Sequence, residues 1–179
     1  MNLKDELLIF HQSRDLKSFT KSLIDEPIKI EKLVNVISNL EEYPFKEMSS
    51  WILTHFAKSN PELVQPFYEK LVDILFKTEN QTVLRNCTNI LYHLNPTDYK
   101  EGELIDQLIE FIQNNNNKVA LQVYSIYFIT HFVKKYPELF EEVKSIIELN
   151  SQNHSPAFNV AIRNFRKLIS IKNHKKIKL

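Results

Sequence analysis

The chain has 179 residues, 43% hydrophobic and 25% charged, with one glycine, one cysteine and a formal charge of +1. That length suits one domain with a real core and is short for two, and the mixture is ordinary for a soluble globular protein. The lone glycine, Gly102, leaves no material for a glycine-rich phosphate loop, and the lone cysteine, Cys87, excludes an internal disulfide and fits a reducing compartment.

The opening MNLKDELLIFHQ sets Lys4, Asp5 and Glu6 before a very short apolar stretch, which is not the build of a secretion signal. No window approaches eighteen uninterrupted apolar residues, so no membrane span is expected, and the cytoplasm is the expected location. Two short helices are predicted near 2–11 and 14–24, forming an N-terminal cap over 1–24. Helical hairpins follow near 28–59, 61–95, 101–135 and 138–171, and 172–179 reads as a basic tail. All of 1–179 is taken as a single repeat domain. Asn60-Pro61, Asn95-Pro96 and Tyr136-Pro137 each stop a helix, because the residue before proline is pushed out of the α region. Ser155 suits an N-cap and Pro156 the first turn of the last helix.

The hairpins are copies of one another. THFAKSNPEL begins at Thr54 and THFVKKYPEL at Thr130, seventy-six positions later, and the midpoint holds a third copy. His55, His93 and His131 are spaced by thirty-eight. The same step relates Phe45, Val83 and Leu121; Ser49, Cys87 and Ser125; Ile52, Ile90 and Phe128; Leu53, Leu91 and Ile129; and Phe56, Leu94 and Phe132. Within one copy these places make one face of a helix, with a small residue where a neighbouring helix comes close. The preceding helices repeat as Phe67, Ile105 and Val143, and as Leu71, Ile109 and Ile147; Leu33 and Val36 match Leu71 and Ile74 one step earlier. The middle copy reaches its proline three residues early, and TDYKEG fills the difference.

Two helices per repeat of this length resemble the HEAT and armadillo-like class of α-solenoids over roughly 28–171. In the HEAT register the first helix is ELVQPFYEKLVDILF and the second QTVLRNCTNILYHL, where Val83, Arg85 and Cys87 follow the family's fashion and Val119, Gln122 and Ser125 do so loosely. The resemblance implies an all-α solenoid, a superhelical stack of about four HEAT-like hairpins. It also implies a protein-binding scaffold more often than an enzyme.

The histidines invite a metal reading, but helices stacked about 8–10 Å apart would hold the outer two roughly 20 Å from each other, far beyond Zn–N bonds of about 2 Å. No metal and no cofactor is expected. The flank beside the core stripe holds Trp51, Met48 and His55, then Asn89 and His93, then Tyr124, Tyr127 and His131. Second helices line the concave side in HEAT-like arrays. Trp51, His55, His93, Tyr124, Tyr127 and His131 are therefore either packing between repeats or a groove for a protein partner.

Nothing assembles a catalytic set. Cys87 occupies a core place shared with Ser49 and Ser125, and Glu41-Glu42 and Glu141-Glu142 are adjacent pairs that do not face one another. Charge is uneven. Through Glu148 there are sixteen Lys/Arg against twenty-two Asp/Glu, whereas from Leu149 onward there are seven Lys/Arg and no acid. The reading is thus a non-catalytic cytoplasmic adaptor that binds another protein. One alternative is nucleic-acid binding through Arg163, Arg166, Lys167, Lys172, Lys175 and Lys176. Another is a glycosylase similar to the HEAT-like enzymes of DNA-alkylation repair.

Overall fold

The structure, a computed structural model, describes residues 2–39, 43–150 and 155–176, with side chains followed as far as Lys167. Helices account for almost all of it, and no strand occurs among the described residues. No helix there is long and apolar enough to cross a membrane. The helices gather into two compact units, Met1–Tyr99 and Lys100–Leu179.

The first unit contains α1 (Leu3–Ser13), α2 (Leu16–Asp25), α3 (Ile28–Ser38), α4 (Phe45–Ser59), α5 (Pro61–Val64), α6 (Tyr68–Lys77) and α7 (Gln81–His93). Polar caps start several of them, because the first N–H groups of a helix have no partner within it. Asn2 Oδ1 accepts from the Asp5 N–H at 2.9 Å, Asp15 Oδ1 from the Ser18 N–H at 2.9 Å, and Asn80 Oδ1 from those of Thr82 and Val83 at 3.0 and 3.2 Å. Where the sequence suggests one continuous helix over ELVQPFYEKLVDILF, a 3₁₀ turn at Gln65–Phe67 divides α5 from α6. The reason is Pro66, which has no N–H to donate back along the helix.

In this unit α3 packs on α6 and α4 on α7, while α3–α4 and α6–α7 pair as hairpins. First helices thus form one layer and second helices the other. The two first helices bury the same five places thirty-eight residues apart: Ile30 with Tyr68, Leu33 with Leu71, Val34 with Val72, Val36 with Ile74, and Ile37 with Leu75. Each such aliphatic side chain contributes about 1.5–3 kcal/mol of burial. The cap is fastened by Lys29, whose Nζ lies 3.0 Å from both Glu6 and Glu26.

The second unit contains α8 (Glu101–Gln113), α9 (Val119–Lys135), α10 (Leu139–Leu149) and α11 (Pro156–Lys176). Helix α9 packs on α8 and α11, and α10 on α8. Gln122, buried on α9, donates through Nε2 to the carbonyls of Ile112 and Asn114 at 3.3 and 3.2 Å, closing the end of α8. Ser155 Oγ accepts from the Phe158 N–H at 3.2 Å and caps α11. Phe165 of that helix stacks on Phe140 at 5.4 Å. Backbone helix continues through Lys172, Lys175 and Lys176, where the sequence places a tail.

The second-helix stripe is in the core throughout. Ser49, Cys87 and Ser125, then Ile52, Ile90 and Phe128, then Leu53, Leu91 and Ile129 are all 0% exposed. Its leading place is less uniform: Val83 and Leu121 are buried, but Phe45 is half-buried, with the Lys4 ammonium 5.5 Å over its ring. The first-helix expectation needs correction in the middle copy. Ile105 and Ile109 are only half-buried, and Leu104, Leu108, Phe111 and Ile112 take the core places instead. Leu71 to Leu108 is thirty-seven residues and Leu108 to Ile147 thirty-nine, so α8 is set one residue out of step. The cause is the connection before it: TDYKEG enters α8 through Lys100 in left-handed backbone, and the helix begins on a different phase. Phe67 is also half-buried, because it falls in the 3₁₀ turn rather than in a helix.

Candidate partner-binding surface

On α4, Trp51 and His55 are one turn apart and flank the buried pair Ile52 and Leu53. Trp51 is half-buried: its ring meets Phe10 of α1 at 5.9 Å, and Phe10 meets Phe19 of α2 at 5.4 Å. The exposed His55 ring stands edge-on to Trp51 at 4.5 Å. On α7, His93 is half-buried beside Tyr92, with centroids 5.1 Å apart, and Asn89 is buried. In the second unit Tyr124 and Tyr127 of α9 are half-buried and meet edge to face at 6.4 Å, and His131 leans on Phe128 at 6.2 Å.

The structure therefore brings Trp51 together with His55, and Tyr124 together with Tyr127. Such edge-to-face pairs are the favoured geometry for ring quadrupoles, and they hold the rings in fixed orientations. Among the described residues no group of three or more His, Cys, Asp or Glu side chains gathers as metal ligands do. The Cys87 thiol is wholly buried, and burial pushes it up to about 12, which leaves it protonated and unreactive at neutral pH.

The basic candidates lie on α11. Arg163 and Lys167 are exposed, and Arg166 donates to Glu148 at 2.8 Å, so part of its charge is answered within the chain. The side chains of Lys172, Lys175 and Lys176 lie outside the described residues.

Sequence reasoning passes over the polar seam between α4 and α7. Asn86 is 3% exposed and donates through Nδ2 to the buried Ser50 Oγ at 2.9 Å. Its Oδ1 accepts from Arg85 Nε and Nη2 at 3.2 and 3.1 Å. Thr54 Oγ1 lies 3.5 Å from the Asn86 carbonyl, and Asn80 Nδ2 donates to Glu47 Oε1 at 2.7 Å. The available signal is a polar residue beside the small place of each helix, Ser50 after Ser49 and Asn86 before Cys87. Phe10, which covers Trp51, has no counterpart in the repeats, so no periodic pattern points to it.

Layered hairpins of this step, with core faces that recur from copy to copy, define a helical repeat protein of the all-α solenoid class. A family model for the HEAT repeat domain matches residues 3–169, and the chain belongs to that family. No curated protein and no solved structure matches the chain.

Proposed function

We propose that this protein is a non-catalytic scaffold whose second helices present ring side chains to a protein partner. HEAT repeat domains are helical scaffolds that often mediate protein interaction. The observation that carries the reading here is that Trp51, His93, Tyr124, Tyr127 and His131 are half-buried and His55 exposed beside a stripe that is buried at every place but Phe45. Tryptophan and tyrosine are among the residue types that dominate binding energy at interfaces, and histidine adds a donor and an acceptor beside them. Arg166, tied to Glu148, makes the basic end the weaker candidate surface.

The test uses a photo-reactive amino acid placed in turn at His55, His93, Tyr127 and His131, with Glu69 and Glu110 on first helices as controls. Crosslinks to one protein from the ring positions alone, with unchanged thermal unfolding, support the reading. Tyr127→Ala with His131→Ala then abolishes that crosslink without loss of stability. Crosslinks equal at the controls, or a double variant that unfolds instead, would make these rings packing between repeats.

A further inference from the structure

A cleft of about 220 Å³ opens in the first unit among α1, the start of α4 and the start of α7. Phe10, Tyr43 and Trp51 supply its aromatic walls, and His11, Arg14 and Glu47 its ionisable groups. Two residues of this lining each carry a buried polar atom with no hydrogen-bond partner among the described residues, Glu47 in its Oε2 and His11 in its Nδ1, so an occupant reaches them by a small turn of either side chain. The other carboxylate oxygen accepts from Asn80 Nδ2 at 2.7 Å, which fixes the group in place. A buried carboxylate oxygen without a donor is one of the more expensive things a folded chain can hold. The cleft therefore asks for an N–H donor, preferably a charged one.

Size and shape narrow the choice. The volume falls below the roughly 300–1,000 Å³ of sites for drug-sized ligands, and suits one side chain rather than a nucleotide or cofactor. A guanidinium offers a planar face for aromatic rings and five donors in a rigid fork. One edge of it can serve Glu47, and with the His11 proton on Nε2 a further N–H can serve Nδ1. A lysine ammonium answers the carboxylate but presents no plane to Trp51 or Phe10. The surroundings agree in sign, since residues 1–99 carry eleven Lys/Arg against fourteen Asp/Glu. Arg14 opposes such an occupant from within the lining.

We propose that this cleft receives an arginine side chain of the partner protein, its guanidinium donating to Glu47 Oε2 and lying against Trp51. The assignment rests on the protein-binding reading above and specifies the chemistry of the partner.

Trp51 is the only tryptophan in the chain, so the emission comes from this residue, and a ligand held on its other side against His55 would move it without dependence on Glu47. The full chain is titrated with N-acetyl-arginine amide and with N-acetyl-citrulline amide, which keeps the shape and lacks the charge. A saturable change in Trp51 emission is expected for the arginine compound, at least tenfold weaker for the citrulline one. Glu47→Gln, which retains the acceptor for Asn80, weakens the arginine response at least tenfold, and Arg14→Gln strengthens it. No saturable response, equal responses to the two compounds, or a response that E47Q leaves unchanged overturns the proposal. Saturation by a short single-stranded oligonucleotide in place of arginine overturns it too and assigns the cleft to nucleic acid. If E47Q does not fold by circular dichroism, R14Q decides: unchanged or weaker arginine binding sinks the idea. Loss of the arginine response while crosslinks from the ring positions persist removes this assignment alone. Crosslinks lost while arginine still saturates Trp51 removes the ring surface and leaves the cleft.

Discussion

Lys100 holds left-handed backbone at φ 48°, whereas Gly102, two residues on, does not have a positive φ and sits in the first turn of α8. The chain's single glycine is thus not at the position that would welcome one. A left-handed L-residue costs about 1–2 kcal/mol, and glycine inside a helix about 0.5–1 kcal/mol relative to alanine. A Cβ built at Gly102 meets nothing within 4 Å. Gly102→Ala is expected to stabilise the protein by about 0.5–1 kcal/mol in urea unfolding, and a clear loss would place residue 102 outside the helix.

The phase of α8 predicts a contrast between neighbours. Leu71→Ala and Leu108→Ala each delete a fully buried side chain and are expected to cost about 2–5 kcal/mol. Ile109→Ala, at a half-buried place, is expected to cost less than about half of that. Equal losses at Leu108 and Ile109 would return α8 to the strict thirty-eight-residue step.

The seam between α4 and α7 predicts energetic coupling. Asn86→Ala removes the donor to Ser50 Oγ, which keeps its own bond to the Glu47 carbonyl at 3.0 Å, and also removes the acceptor for Arg85, an expected loss of about 1–3 kcal/mol. In a double-mutant cycle with Ser50→Ala the two losses fall short of additivity by about 0.5 kcal/mol or more. Strict additivity would mean the bond contributes nothing.

Alkaline pH should loosen the fold through two groups acting in the same direction. Burial raises the Cys87 thiol to about 12. Burial works against the Lys29 ammonium, but its hydrogen bonds to Glu26 and Glu6 outweigh that, and it ends above its usual 10.5. Above pH 9 or so the unfolded chain releases the thiol proton while the folded chain keeps it, so the native state binds more protons and stability falls with rising pH. Lys29 behaves likewise: its contribution is whole below 10.5 and is lost as pH climbs through its higher folded value. Urea unfolding from pH 7 to about 11.5 checks this; Cys87→Ser should flatten the part of the fall that begins near pH 9, leaving the part above 10.5 to Lys29. A thiol reagent at neutral pH should leave Cys87 untouched until the protein is unfolded.

Much of the framework is legible in the residues because burial enforces it. Ile52, Ile90 and Phe128 recur in step since each fills the same place between helices, and the proline stops bracket them. The phase of α8 is not legible, because a connection of different length can restart a helix on any face, and Ile105 and Ile109 imitate a core stripe as well as Leu104 and Leu108 do. The candidate surface is half readable. Trp51 and His55 announce themselves by type and spacing, whereas Phe10 covers Trp51 from a helix that belongs to no repeat. The pairing of Ser50 with Asn86 escapes a hydropathy reading, since both residues are polar and nothing but tertiary structure makes them buried.

That pairing bears on how a chain of look-alike hairpins avoids docking them in the wrong order. The apolar faces of α4, α7 and α9 are near copies, so grease alone would let one stand in for another during assembly. Counting thirty-eight residues on from Asn86 reaches Tyr124. A misplaced α9 lying where α7 belongs would bring a phenol ring to that place and lose the amide that donates to Ser50 Oγ. The seam is a key cut for one lock, and it tells α4 which neighbour is its own.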